Sequence, residues 1–325
     1  MANGVVLVAD DLQRDLLIER AALQPVLIEV QHAIWPIDPC IAERVVGLLV
    51  GDAQITFEII ECLPNLGVIS KYGMNCDNID LFAARKLGIA VGNTPDYWVE
   101  DVATHCLALL LDCCRGTCHY DKLVRAGQWN PREIGYLRRP SNMVVGIIGM
   151  GKVGRRLANS CQSLFKKITW HDPYVDRQLV PDCYESASLD RLFSTSNAIC
   201  VCIPLNDHTK GLIGSTLIEK MPKGGFIVNV SRGDVIDEAA LLSAIRDGHL
   251  AAAGLDVLKI EPPINDNGLI CIDSVTITPH AAFFSTDSDV EVREKACRNI
   301  TRWLQLGSPE FIVQKGHRPK PSWLG

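Results

Sequence analysis

Residues 144–160 read VVGIIGMGKVGRRLANS: an apolar strand-like run, a glycine turn, then a helical pattern. Gly149, Gly151 and Gly154 form GxGxxG directly between the two. In such a unit the first glycine permits the tight turn, the second lets a pyrophosphate approach the backbone, and the third lets helix and strand pack closely. The phosphates then rest on the helix N-terminus, where unpaired N–H groups favour anions. A glycine turn alone is weak evidence, but here Asp172 follows 18 positions after Gly154, at the end of the run KITWHD. A carboxylate at that place accepts hydrogen bonds from ribose hydroxyls and repels a 2′-phosphate, which favours NAD over NADP. The bland alternative for Asp172 is a turn residue before Pro173. Lys152, Arg155 and Arg156 in the next turn read as solvated helix-surface residues.

Outward from this unit, apolar runs alternate with helical stretches along the whole chain. Before residue 95 they are VVLVAD, VLIEV, VGLLVG, LGVIS and GIAVGN; after residue 143 they are VVGIIGM, KITWHD, AICVCIP, GFIVNV, AAAGLDV and SVTITP. Continuous rather than alternating apolarity marks parallel strands covered on both faces. Between the groups, Val99, Val102, Cys106, Leu109 and Leu110 recur at helical spacing, flanked by Pro95 and Gly127, which predicts one long linking helix. A second helix is expected over about 289–306, capped by Ser288 or Asp287, with no later strand. The expected fold is α/β, with two doubly wound parallel-sheet (Rossmann/flavodoxin-like) domains joined by long interdomain helices. One domain comprises residues 1–95 plus 284–325, the other residues 96–283.

At 325 residues and 47% hydrophobic content, the chain is long enough for two cores. A net charge of −6 and the lack of a basic stripe argue against nucleic acid or membrane surfaces as partners. No apolar run approaches the roughly 20 residues of a membrane span. The start, MANGVVLVADD, lacks the basic flank of a targeting segment, so a cytoplasmic location is expected. Thirteen cysteines lie scattered with no CxxC pair, and Cys113, Cys114 and Cys118 lack zinc-site spacing. Reduced thiols and no metal are the expectation.

Three further phrases expose chemistry-bearing side chains: Arg232 in NVSRGDVIDE, Glu261 in LDVLKIEPP and His280 in TITPHAAFFS. A guanidinium, a carboxylate and an imidazole are the parts needed to hold a substrate carboxylate, tune a base and move a proton. Each also has a plain structural alternative: a turn arginine, a solvated glutamate before prolines, a packed histidine.

Taken together, these phrases resemble the D-isomer-specific 2-hydroxyacid dehydrogenase family, including the subgroup related to the C-terminal-binding-protein corepressors. The likeness covers nearly the whole chain. It runs through SKYGMNCDNIDLFAARKLGIAVGNTPDYWVEDVATH, GIIGMGKVGRR, CIPLNDHTKGLIG, VNVSRGDVIDEAAL, AAGLDV, EPP and TPHAAFFS in the family's order. The resemblance implies that Arg232 binds the substrate carboxylate and carbonyl, that His280 is the general acid/base, and that Glu261 hydrogen-bonds its ring. A carboxylate partner orients an imidazole and favours its protonated form. It also implies NAD as cofactor, a 2-oxoacid or D-2-hydroxyacid as substrate, and a homodimer built through the cofactor domain.

By the same resemblance, Lys152 and Val153 follow the phosphate turn, and Cys202, Pro204 and Thr209 border the adenine and phosphate side. Val230, Ser231 and Asp256 face the nicotinamide, Asp256 accepting from the carboxamide. Tyr72, Gly73 and Met74 present backbone N–H groups to the substrate carboxylate. Lys71 aligns with a cation near the substrate's distal group; it either selects a second anion, as in a phosphorylated or phosphonate acid, or is a solvated loop lysine. Asn75 stands where relatives commonly carry glycine, and Thr104 replaces a usual acid. Trp98 either walls the pocket or simply packs at a helix start. Two other readings stand beside a dehydrogenase of ordinary acids: an NAD-sensing corepressor-like interaction protein, and a biosynthetic dehydrogenase of a phosphonate or other di-anionic acid.

Overall fold

Every apolar run named above forms a strand in the structure, a computed structural model that describes residues 4–10, 15–135, 137–263 and 267–321. The chain divides into two compact units, Met1–Tyr97 with Ser285–Gly325, and Trp98–Phe284. The last four residues of the tail GHRPKPSWLG lie outside the described residues.

In the first unit, β1 (Gly4–Ala9), β2 (Ile28–His32), β3 (Val45–Val50), β4 (Val68–Lys71) and β5 (Ala90–Gly92) pair in parallel in the order β2-β1-β3-β4-β5. Alternate residues of β1 feed opposite cores: Val5 and Leu7 enter one cluster, Val6 and Val8 the other. Burial of both faces is why the run is apolar throughout.

The second unit holds β6 (Val144–Ile148), β7 (Lys167–His171), β8 (Glu185–Ser186), β9 (Ala198–Val201), β10 (Gly225–Asn229), β11 (Leu250–Leu255) and β12 (Val275–Ile277). All pair in parallel, in the order β8-β7-β6-β9-β10-β11-β12. The strand order reverses between β6 and β9. In an open α/β sheet, ligands bind outside the carboxyl ends of the strands at such a reversal.

Three local features depart from the sequence reading. The expected single linking helix is two, Val99–Arg115 and Thr117–Arg125, because Gly116 takes a left-handed conformation (φ 62°) and its N–H closes on Asp112. A Cβ at Gly116 would also collide with the Ile134 side chain. The last helix begins earlier than expected, at Thr286, with Ser285 as N-cap and Ser288 completing a capping box. After it comes an unanticipated strand, β13 (Ile312–Gln314), antiparallel to β5. Ile312 and Val313 are exposed, so this edge strand lacks the apolar signature of its parallel neighbours.

The Thr286–Leu306 helix is anchored in the first unit by its own apolar face and by one buried ion pair. Trp303 fills the space above Gly67, where any Cβ would strike the indole. Arg293 donates from Nε and Nη2 to both oxygens of Glu19 at 2.6 Å, and the Tyr72 hydroxyl donates to Glu19 at 2.9 Å. The Arg293 and Glu19 side chains are 5% and 2% exposed, so neither charge has water as an alternative partner. The pair raises the Arg293 pKa, and burial raises that of Tyr72. Arg293 also has Asp15 and Asp289 within 3.6 Å, but among the described residues Glu19 has only the Tyr72 hydroxyl besides, so removing Arg293 strands the buried carboxylate, at a cost of about 3–5 kcal/mol, whereas replacing both with apolar side chains relieves most of it. Chemical denaturation should therefore show Arg293→Met far less stable than Glu19→Leu/Arg293→Met; equal loss in both would contradict this account.

Candidate functional site

The candidate residues of the second unit lie just beyond the carboxyl end of a strand of one sheet, in the loop that follows, or, for Lys152, Val153 and Gly154, in the first turn of the helix after β6. Gly149 follows β6, Asp172 follows β7, Cys202 follows β9, Val230 to Arg232 follow β10, Asp256 follows β11, and His280 follows β12 by three residues. Glu261 lies in the loop after β11. Parallel pairing brings these ends to one edge although they span more than a hundred positions of sequence.

At the reversal point the three glycines differ in what surrounds them. Gly149 has φ 93°, and a Cβ there would lie 2.6 Å from the Cys202 carbonyl oxygen. A Cβ on Gly154 would overlap the Gly149 carbonyl oxygen, while one on Gly151 would meet nothing within 4 Å. The turn is thus closed at its first and third glycines and open at its second, as an approaching phosphate requires. Gly151 caps the Lys152–Cys161 helix without a side-chain hydrogen bond, and the N-terminus of a helix favours an anion. Lys152 is exposed and Val153 buried against the core.

Asp172, expected from sequence to meet a ribose, already accepts from the backbone. Its Oδ2 accepts from Met150 N at 2.8 Å, and Oδ1 accepts from Tyr174 N and Val175 N at 2.9 and 3.1 Å. The carboxylate therefore holds the glycine turn, with about one of its four acceptor sites remaining for a further donor. On the other side, Thr209 folds the loop after β9, its hydroxyl donating to the Pro204 carbonyl at 2.7 Å.

The segment after β10 is shaped by Asn229, which the sequence reading passed over. Its side chain accepts from Ser231 N and Oγ at 3.0 and 2.8 Å and donates to the Arg232 carbonyl at 3.0 Å. A buried asparagine ending an apolar strand, 1% exposed, was the available signal. Val230 is buried here, whereas Arg232 is exposed, with Nη1 on the Ser231 carbonyl. Gly233, where a Cβ would collide with the Leu258 backbone, sets this turn against the next one. There Glu261 Oε1 accepts from Leu258 N at 2.9 Å, and Oε2 meets His280 Nδ1 at 2.7 Å. The His280 Nε2 has no hydrogen-bond partner among the described residues. His280 has a left-handed backbone, φ 53°, rare for a side chain of its size. The Phe283 ring stands edge-on to it, with centroids 6.3 Å apart.

Asp256 is 2% exposed. Its Oδ1 accepts from the Thr278 hydroxyl at 2.6 Å and Ala281 N at 2.8 Å, and Oδ2 from Ala282 N at 3.0 Å. The carboxylate expected to meet the carboxamide thus also carries the backbone of the His280 turn. Trp98 packs against the core of its own unit, and Thr104 is exposed.

In the first unit, two of the three N–H groups expected to meet substrate are already engaged. Tyr72 N donates to the Val50 carbonyl at 2.8 Å, and Gly73 N donates to Thr94 Oγ1 at 2.5 Å. Gly73 has φ 113°. Met74 is exposed, and its N–H has no partner among the described residues. Lys71 is not a solvated loop lysine: it is 6% exposed, donates to the Gly51 carbonyl, and has Asp52 Oδ1 at 3.9 Å. Burial pushes its pKa down from the ordinary lysine range.

Among the described residues, no group of three histidine, cysteine, aspartate or glutamate side chains could hold a metal ion, and no helix is long and apolar enough to cross a membrane. The thirteen cysteines are free thiols; burial pushes Cys114 up to about 12.

Residues 107–282 match the family model for the D-isomer specific 2-hydroxyacid dehydrogenase, NAD binding domain. The chain is 35% identical to the D-3-phosphoglycerate dehydrogenase of Archaeoglobus fulgidus over 74% of its own length but 45% of that protein, so it spans about half of that relative. It is 32% identical to the glyoxylate reductase of Thermofilum pendens, over 81% of this chain and 79% of that protein. The crystal structure of a glyoxylate reductase from Paecilomyes thermophila superimposes with a TM-score of 0.78 at 25% identity, covering 96% of this chain and 99% of that one. With the glycine turn, the arginine turn and the carboxylate–imidazole pair at one sheet edge, the chain belongs to the D-isomer specific 2-hydroxyacid dehydrogenases, NAD-dependent oxidoreductases that interconvert 2-oxoacids and 2-hydroxyacids.

Proposed function

We propose that the chain interconverts a small, singly charged 2-oxoacid and its D-2-hydroxyacid, with His280 as general acid/base. The observation that carries this reading is the His280 ring: Nδ1 is taken by Glu261 at 2.7 Å, and Nε2 stands open. An imidazole pinned at one nitrogen presents the other in a defined direction, which proton transfer requires. Bound at this edge, NAD supplies the hydride exchanged with substrate C2. The N–H groups at the start of the Lys152–Cys161 helix hold its pyrophosphate and Asp172 its ribose, the latter disfavouring a 2′-phosphate. His280 gives a proton to the C2 oxygen in reduction and takes it back in oxidation. The planar fork of Arg232 grips the substrate carboxylate.

The choice of a singly charged acid is supported by Lys71, whose ammonium is turned inward to Gly51 and Asp52. The reading of a homodimer paired through the cofactor-binding unit is supported by the Thr117–Arg125 helix, which buries none of its residues, and by Trp129, 87% exposed nearby.

NADH oxidation should be measured against a panel of 2-oxoacids that includes glyoxylate and hydroxypyruvate beside phosphorylated and phosphonate analogues. Turnover is expected on the former, and His280→Gln should lower kcat by about 100- to 10,000-fold while NADH still binds. Tight NADH binding with no turnover on any acid would favour a sensor instead. Lys71→Ala should alter kcat/KM equally for singly and doubly charged acids; a loss confined to the doubly charged ones would restore the second-anion role. Sedimentation should give a dimer in wild type, and Trp129→Asp should shift it toward monomer; a wild-type monomer would refute the pairing.

A further inference from the structure

A hydrogen-bond chain reaches the His280 turn from the middle of the Val99–Arg115 helix. His105 Nε2 lies 2.9 Å from Thr278 Oγ1 and 3.5 Å from Asp256 Oδ1. The contact is possible because the helix lies very close to β11: a Cβ on Gly254 would stand 2.8 Å from Leu109 Cβ. His105 is about one helical turn, roughly 6 Å, before Leu109. Asp256 is two strand residues, again roughly 6–7 Å, beyond Gly254. The bare glycine therefore lets the helix settle at the depth where this imidazole meets the end of β11.

Counting protons gives the chain a direction. Asp256 accepts from Ala281 N, Ala282 N and the Thr278 hydroxyl, and an ionised carboxylate is an acceptor only. A threonine hydroxyl has one proton, and at 2.6 Å from Asp256 Oδ1 that proton is used. Thr278 Oγ1 can then only accept from the histidine, so His105 Nε2 carries hydrogen. The other end of the chain is the catalytic turn: Ala281 and Ala282 follow His280, whose own N–H donates to the Asp256 carbonyl at 2.9 Å. The left-handed His280 backbone needs such outside support, since surroundings must over-determine an uncommon conformation for it to persist.

We propose that His105 is a positioning residue for His280: its Nε2–H donates to Thr278, Thr278 donates to Asp256, and the Asp256 carboxylate, its acceptor sites thereby oriented, fixes the turn that aims the catalytic ring. His105 touches no reacting atom in this scheme. Its effect belongs to kcat rather than to substrate affinity, because a misaimed ring still leaves Arg232 free to bind the carboxylate. The proposal rests on His280 as the acid/base.

Two measurements test it. The ring nitrogens of ¹⁵N-histidine-labelled protein, with His105 assigned by comparison with His105→Gln, should show Nε2 protonated at neutral pH; an unprotonated Nε2 would overturn the chain. This spectrum needs no turnover, so it still decides the chain if a lack of activity sinks the acid/base reading. In kinetics, His105→Leu and Thr278→Val should each lower kcat about 10-fold, the usual worth of one hydrogen bond to a charge-linked network, with KM little changed. His105→Gln and Thr278→Ser, which keep a donor and a hydroxyl, should recover most of the rate. The double variant His105→Leu/Thr278→Val should be no worse than either single, since both break one chain. Losses that multiply, a full-rate His105→Leu, or a Thr278→Ser as poor as Thr278→Val would each overturn it. Unfolding midpoints taken alongside separate a misaimed ring from a loosened fold.

Discussion

The carboxylate of Asp256, shut away from solvent at the end of β11, gathers Thr278, Ala281 and Ala282 around two oxygens. A buried charge is tolerated only where its hydrogen bonds are made, and here the donors are the backbone and hydroxyl of the segment that carries His280. The hydrogen bonds between them thus offset both the cost of an unusual backbone at His280 and the cost of a buried anion. From that turn the imidazole reaches Glu261, and Glu261 in turn reaches Leu258 N, beside the turn that holds Arg232. The chemistry is assembled by loops, but each loop is tied down by a buried or half-buried polar side chain.

The sheet supplies the reason these loops meet. Parallel pairing puts all the carboxyl ends on one edge, and the reversal of strand order between β6 and β9 opens a place there for a dinucleotide. Gly149 and Gly154 close that turn sterically while Gly151 leaves it open, so the phosphate-binding shape is a property of packing and not only of composition. Asp172 braces the same turn through Met150, so the carboxylate after β7 and the glycine turn after β6 are held together.

What was legible in sequence was what depends on near neighbours along the chain. Continuous apolar runs marked both sheets, and the glycine spacing marked the tight turn between β6 and the helix after it, because strand burial and turn sterics act over a few residues. The contact between His105 and Thr278 spans 173 positions and exists only because Gly254 admits the helix, so no local pattern announces it. Lys71 escaped for a related reason: the last residue of β4 has one face inward, and only the placement of Gly51 and Asp52 shows that the ammonium follows it. The break at Gly116 lies beyond the last of the apolar positions, Leu110, where that spacing is silent, and β13 was hidden by its exposure.

The claim on which everything else rests is that this sheet edge binds cofactor and acid together, with His280 Nε2 facing the reacting oxygen. A crystal structure with NADH and oxamate, an unreactive 2-oxoacid mimic, tests it directly. The account predicts pyrophosphate oxygens on the N–H groups after Gly151, the oxamate carboxylate on Arg232, and its C2 oxygen about 3 Å from His280 Nε2. Oxamate bound away from Arg232, or with its C2 oxygen out of reach of His280, would contradict it.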